Sequence, residues 1–178
     1  MKSFSILFLF VFILSSSCNK EDDRVIQPIT EENTFSTMIN NDLFIPETHG
    51  GFIPVPGIIV SVFDNNSWRI ILGDDKYDLV FFIKHIDHTG GYELHPNDGD
   101  KIFYVEDQNG IVLENRTTSE IFISTSTSGQ IEVLSFDGEE KLMFQFDEIE
   151  LSSLNNPSSK IILADGKLNI NSNTLNQE

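Results

Sequence analysis

Residues 77–86, YDLVFFIKHI, are the most hydrophobic stretch of the chain after its N-terminal apolar run, and they decide the class of fold. In an extended strand Leu79, Phe81 and Ile83 point to one side, and the residues between them point to the other. Both faces are apolar, which is typical of a central strand covered on both sides or of one that spans two packing layers. The run is short and rich in β-branched and aromatic residues, which favours a strand over a helix.

The same alternation continues on both sides of this segment. Trp68 is in phase with Ile70 and Leu72, which predicts that its indole belongs to the core. Residues 142–147 alternate between apolar and more polar side chains, so they predict a strand with one buried and one wetter face. No stretch after residue 33 shows a sustained 3.6-residue period, and helices are therefore not expected there.

Short polar segments between the apolar runs predict turns. Asn-Gly and Asp-Gly pairs suit type I′ turns, in which both central residues need a positive φ. The predicted turns are Asn40-Asn41-Asp42, Asp64-Asn65-Asn66, Asn109-Gly110, Asp137-Gly138 and Asp165-Gly166, and residues 48–57 (THGGFIPVPG) predict an irregular loop.

About ten short strands without helical connections imply antiparallel pairing, because parallel crossovers need a dozen or more residues. We therefore predict an all-β fold, either an antiparallel β-sandwich or a partly open β-barrel. The predicted single domain covers residues 34–170, and residues 171–178 form a polar tail that frays.

The N-terminus predicts export. Residues 1–17 read as a signal helix, with Lys2 before an apolar run that is well below the roughly 20 residues of a membrane-spanning helix. Residues 14–18, LSSSC, resemble a bacterial lipobox, which implies that Cys18 carries a diacylglycerol and an acyl chain such as palmitate. Two or more chains anchor a protein firmly in a bilayer. The alternative is an ordinary signal peptide with a chance cysteine.

Residues 18–33 are acidic, contain Pro28 and lack apolar periodicity, so they predict a flexible tether. Lys20 is followed by Glu21, Asp22 and Asp23, which is similar to the export signal of surface-exposed lipoproteins in Bacteroidota. That resemblance implies an outer-membrane protein that faces the cell exterior. A solvated tether on the periplasmic face is the alternative.

Three further segments carry a second resemblance: residues 34–41 (TFSTMINN), 91–94 (GYEL) and 161–169 (IILADGKLN). Together they are similar to a family of uncharacterised single-domain lipoproteins of Bacteroidota. The resemblance implies a β-rich domain and an envelope location, and it implies no chemistry.

The formal net charge is −17, which argues against nucleic acid and against anionic headgroups as partners, since both would repel the chain. With its only cysteine acylated, the chain forms no internal disulfide. Its stability must then come from packing or from a bound ion.

Two groups of side chains are candidate ion sites. His85 and His88 are three residues apart and face opposite sides of an extended strand, so we predict exposed strand-end histidines and no metal site. Asp98 and Asp100 suggest calcium, but residues 97–100 lack the spacing of an EF-hand, and we interpret them as a solvated turn. No cofactor is predicted beyond the covalent lipid.

No motif for nucleophilic catalysis is present: the chain has no Gly-x-Ser-x-Gly and no cysteine outside the lipobox. A glycan ligand needs exposed aromatic side chains, for which Tyr77, Tyr92 and Tyr104 are the more plausible candidates; the alternative is that these tyrosines simply pack at strand edges. The favoured function is a non-catalytic lipoprotein that binds a protein or glycan. An envelope hydrolase that uses acidic loops or histidines, and a purely structural envelope protein, are the alternatives.

Overall fold

The computed structural model describes residues 31–102 and 108–175, and these form eleven strands and one short helix. The elements are β1 Thr34–Ile39, β2 Asp42–Phe44, β3 Ile58–Phe63, β4 Ser67–Gly73, β5 Tyr77–Ile83, β6 Gly90–Glu93, β7 Gly110–Asn115, β8 Glu120–Ile123, β9 Gln130–Asp137, β10 Lys141–Ser153, β11 Lys160–Asn171 and α1 Ser172–Leu175. The predicted all-β fold is confirmed. Within residues 31–102 and 108–175, no helix is long and apolar enough to span a membrane.

The strands form one antiparallel sheet in the order β2-β1-β11-β10-β8-β7-β5-β4-β3. β10 is the branch point, because its first part pairs with β9 and its last two residues pair with β8. β6 adds to the far side of β9. The sheet curls on itself: the rings of Phe35 on β1 and Phe81 on β5 are 5.8 Å apart, although four strands separate β1 from β5 in the sheet order. The result is a partly open barrel.

The inner face of the curled sheet holds the main core. Phe81 on β5 lies at its centre, 5.1 Å from the ring of Phe144 and 6.0 Å from that of Phe146. Trp68, Ile70 and Leu72 are buried in the same core, as their spacing predicts. The alternation of residues 142–147 is likewise confirmed, with every second residue inside.

The other face of β5 is covered too, as the apolar side chains on both of its faces predict. Val80, Phe82 and Val112 form a second, smaller cluster on the outer side of the sheet. The crossing segment, residues 94–102, runs over this side between β6 and β7. A Cβ added to Gly99 would lie 3.0 Å from Leu154 and 3.5 Å from Ile121, so the backbone of the segment packs directly on apolar side chains.

Three of the predicted turns are confirmed. Asn40 and Asn41 both have positive φ (50° and 71°) and join β1 to β2 in a two-residue turn. The turn after β3 has positive φ at its two asparagines. After Asp137, the last residue of β9, residues 138–140 form a three-residue loop to β10, and Gly138 has φ 52°.

The turn predicted at Asp165-Gly166 is wrong. β11 continues through both residues, and Asp165 has φ 53° within the strand. The register between β1 and β11 shifts beside them, which marks a β-bulge. Buried Thr37 lies at the shift and donates its hydroxyl to the carbonyl of Ala164 at 2.9 Å. Positive φ, which suits a turn, here accommodates an extra residue within a strand.

Gly166 also provides space for an aromatic ring. It pairs with Phe146 across β10 and β11, and the ring lies over the glycine. A Cβ on Gly166 would lie 1.9 Å from the Cζ atom of Phe146. Glycine is therefore required here by close packing.

The turn predicted at Asn109-Gly110 is also wrong. Neither residue has a positive φ, and Gly110 is already the first residue of β7. The Asn109 side chain accepts a hydrogen bond from the Lys84 amide (2.8 Å) and donates one to the Glu93 carbonyl (3.2 Å). Residues 101–102, which precede this segment, are not in a strand, and residues 103–107 lie outside the described part.

The folded chain extends past residue 170. β11 ends at Asn171, whose amide donates to Asn33 Oδ1 at 2.9 Å, and α1 follows. Residues 171–175 therefore have regular structure, and the predicted fraying of the tail is wrong for them. Residues 176–178 lie outside the described part.

Candidate interaction site

The loop between β2 and β3 presents apolar side chains to solvent. Within residues 50–56 (GGFIPVP), which we call the apolar loop, the relative exposure of Phe52 is 104% and that of Ile53 is 75%. Val55 is 37% exposed. Large apolar side chains exposed together on one loop mark a binding surface more often than isolated ones do.

A short ladder holds the base of the apolar loop. His49 and Val55 exchange two backbone hydrogen bonds, at 3.0 and 2.8 Å, and form an isolated bridge. Below them Gly73, at the end of β4, accepts a hydrogen bond from the Glu47 amide (2.9 Å) and donates one to the Gly57 carbonyl (2.8 Å). These hydrogen-bonded residues, 47–49 and 55–57, form a stem that is tied to the sheet, and the tip at Phe52 and Ile53 projects from it.

His49 fills the space under this stem. Its side chain is buried, and its Nδ1–H donates to the Glu47 carbonyl at 3.0 Å. A Cβ on Gly73 would lie 2.7 Å from His49 Cε1, so the imidazole lies against the bare backbone of β4. Gly73 is thus required for the packing of the stem.

The apolar loop lies at the end of the barrel opposite the entry of the N-terminal segment. β1 begins at Thr34 beside Asn169 and ends, six residues on, at the turn before Asp42. An ion pair of 3.7 Å joins Asp42 to Lys76, which follows Gly73 in the β4–β5 turn. At about 3.4 Å per residue, the length of β1 separates the two ends by about 17 Å.

Further exposed apolar and acidic groups lie at the loop end. Leu43 and Ile45, just before the loop, are 65% and 49% exposed. Asp42 and Glu47 are also exposed and flank these apolar residues in the chain. The surface is therefore apolar with acidic neighbours.

The structure places the two candidate histidines at the other end of β5. His85 is exposed with φ 51°. His88 Nδ1 lies 2.5 Å from Asp87 Oδ1, and its ring stacks on that of Tyr92 with centroids 5.1 Å apart. The hydrogen bond from His88 lowers the pKa of the Asp87 carboxyl below its usual 3.8.

Tyr92 holds the segment between β5 and β6, residues 84–89, in place. Its hydroxyl donates to the His88 carbonyl at 2.8 Å and accepts from the amides of Asp87 and His88 at 3.2 Å. The prediction that Tyr77 and Tyr92 are surface aromatics is wrong, since both are buried. Tyr104 lies outside the described part.

Asp98 and Asp100 bind their own backbone. Asp98 Oδ1 accepts from the Asp100 amide at 3.0 Å, and Asp100 Oδ1 accepts from the Ile102 amide at 2.6 Å. In residues 31–102 and 108–175, no three histidine, cysteine, aspartate or glutamate side chains come together as a metal site would need. Cys18, Lys20, Glu21, Asp22 and Asp23 lie outside the described part, so the lipidation and export signals stay predictions.

An open depression of about 510 Å³ lies at the end of the barrel where β1 begins, and it is lined by Val62, Asp137, Gly138, Glu139, Glu140, Ser172 and Asn173. Neither candidate histidine lines it, and neither do Asp98 and Asp100. Its lining is acidic and its mouth is wide.

The sequence predicts the loop at residues 48–57 but not the exposure of its apolar side chains. The signal was available: Phe52 and Ile53 lie between a Gly-Gly pair and a proline, where no strand alternation places them in a core. The burial of His49 depends on contact with Gly73, which is distant in the chain, and no local pattern reveals it.

No protein-family model matches this chain. Comparisons with curated proteins and with solved structures likewise give no significant match. No catalytic family is therefore indicated.

Proposed function

We propose that the protein is a lipid-anchored lipoprotein of the outer membrane, facing the cell exterior, that acts as a non-catalytic binding module for another protein. The observation that carries this proposal is the full exposure of Phe52 on a loop whose stem is tied to the sheet. A side chain of this size is a common anchor in protein interfaces, where it fills a pocket on the partner.

The chemistry of the apolar loop favours a protein over a glycan. Sugar rings stack on flat aromatic groups, and Phe52 is the single aromatic residue of the apolar loop. The exposed groups beside it are aliphatic: Ile53, Val55 and two prolines. Asp42 and Glu47 lie near the loop, so the expected partner surface is an apolar pocket with lysine or arginine at its rim. The same acidic groups disfavour insertion of the loop into an anionic bilayer.

The membrane anchor is proposed from the resemblance of residues 14–18 to a lipobox and of residues 20–23 to a surface-export signal. The position of the apolar loop supports this arrangement. A lipid at Cys18 connects to the end of the barrel where β1 begins, and the loop lies about 17 Å further on along the strands. The loop then lies at the end of the barrel farther from the tether.

Site-specific photo-crosslinking on living cells tests the binding function. A benzoylphenylalanine at position 52 is expected to trap one defined envelope protein, and the double variant Phe52→Ser, Ile53→Ser with the crosslinker at Val55 is expected to lose that product. Leu134, 39% exposed on β9, provides the matched control position. Equal products from positions 52 and 134, or none from either, would refute the binding role of the loop.

Labelling with a clickable palmitate analogue tests the anchor separately. The wild type should be labelled and the Cys18→Ala variant should not. Protease added to intact cells should then remove the domain if it faces outward. Survival of the domain would instead place it on the periplasmic face.

A further inference from the structure

β3 is an edge strand of the sheet that the structure describes. It is the last strand in the order, and only β4 pairs with it among residues 31–102 and 108–175. Its sequence, IIVSVF, contains neither charge nor proline. Proteins usually protect a strand of this length and hydrophobicity with such residues, because unpaired backbone groups recruit other strands.

The hydrogen-bond pattern shows which backbone groups point outward. The Gly73 amide donates to the Gly57 carbonyl at 2.8 Å, so positions 57 and 73 form a hydrogen-bonded pair. Pairs in an antiparallel ladder alternate between bonded and non-bonded. Ile59, Ser61 and Phe63 therefore bond to β4, and the N–H and C=O groups of Ile58, Val60 and Val62 point away from the sheet.

The same three residues carry the side chains that face the main core. Ile58, Val60 and Val62 pack against that core and remain partly exposed. A strand added to this edge would bond to these residues and would place every second side chain on the open side of the core. Those side chains would need to be apolar.

The charge at one end of the edge defines the occupant further. Val62 lines the open depression together with Asp137, Glu139 and Glu140. We propose that the free edge of β3 binds an extended segment of a partner protein by strand addition, with alternating apolar residues along β3 and a lysine or arginine in the depression beside Val62. This surface is distinct from the apolar loop, and the proposal goes beyond the proposed function.

Amide exchange on the full chain tests the open edge with an internal control. Without ligand, the amides of Ile58, Val60 and Val62 should exchange quickly, and those of Ile59, Ser61 and Phe63 should be protected. A synthetic peptide, acetyl-Lys-Val-Thr-Val-Thr-Val-Lys-amide, should then protect the first three. Protection before peptide is added would overturn the proposal, because another segment of the chain, or a second copy if the protection depends on concentration, then occupies the edge.

Two substitutions at one position separate the backbone from the side chain. Val60→Pro removes an outward N–H that makes no bond to β4, and peptide affinity should fall roughly tenfold or more. Val60→Thr keeps the N–H and the side-chain shape, and its affinity should stay within about threefold of wild type. The same peptide with glutamate in place of lysine should bind more weakly. Failure of the lysine peptide to bind wild type, or equal loss in both variants, would reject strand addition even if the Phe52 crosslink is found.

Discussion

The contact between Gly166 and Phe146 makes a quantitative prediction about stability. A Cβ at position 166 would lie 1.9, 2.1 and 2.4 Å from three ring atoms of Phe146. Ordinary carbon contacts are about 3.5–4.0 Å, so the ring must move by about 1.5–2 Å. Phe146 is only 4% exposed and packs on Phe81, which leaves it little space within the core.

We expect Gly166→Ala to lower the free energy of unfolding by about 2–3 kcal/mol. Overpacking a core costs about 1–3 kcal/mol, and complete loss of a buried Phe side chain costs about 3–5 kcal/mol. Alanine also lowers the conformational entropy of the unfolded chain, which stabilises the folded state by about 0.4–1 kcal/mol and offsets part of this cost. Gly166 has no positive φ, so the effect is steric. Urea unfolding measures it through the fluorescence of Trp68, the only tryptophan and a buried one.

A double-mutant cycle makes the prediction specific. In a Phe146→Ala background, Gly166→Ala should cost less than about 1 kcal/mol, because the ring that it displaces is gone. Gly51→Ala is the matched control: nothing lies within 4 Å of its added Cβ, and a change within about 0.5 kcal/mol is expected. If Gly166→Ala costs the same with and without the Phe146 ring, the steric explanation is wrong.

Three further predictions concern the crossing segment and the segment between β5 and β6 that contains His88. Ser124→Ala should lower the free energy of unfolding by about 1–3 kcal/mol, because the fully buried hydroxyl accepts from the Ile111 amide and donates to the His95 carbonyl; exposed Ser126→Ala should change it little in the same urea assay. For Lys101, burial opposes the charge, but Glu114 and Asp78 outweigh it and raise the pKa above the usual 10.5. Its ion pairs therefore stabilise the fold below that value, and the stability difference between wild type and Lys101→Met should shrink as the pH rises above 10.5; a constant difference would contradict the assignment. Since the His88 hydrogen bond lowers the pKa of Asp87, its stabilising effect should be present above pH 3.8 and be lost as the pH falls further; carboxyl NMR should show the midpoint below 3.8 in wild type and back near it in His88→Ala.

The sequence predicts those parts of the fold that depend on neighbours in the chain. Alternation placed Trp68 and Phe144 in the core, and the Asn40-Asn41 pair located a tight turn. Asp165-Gly166 satisfied the same local rule and was misassigned. Its conformation is decided by contacts distant in the chain, with Phe146 over the glycine and Thr37 beside the bulge.

The candidate site was less predictable for a similar reason. A run of Gly and Pro indicates a loop, and the direction in which Phe52 points depends on the hydrogen bonds to Gly73. That only β4 pairs with β3 in the described part of the chain depends on the whole sheet order, since any strand could have paired with it. Local patterns identify elements, and the exposure of their surfaces follows only from the assembled barrel.

The opposite placement of the N-terminal entry and the apolar loop has a mechanical consequence. A pull between an anchored N-terminus and a partner held at the loop would run nearly parallel to β1. The hydrogen bonds between β1 and β11 lie across that direction, so the pull would load them together in shear and would not peel them apart one after another. Under such a pull the fold would resist tension along the line that joins these two ends better than tension across its strands.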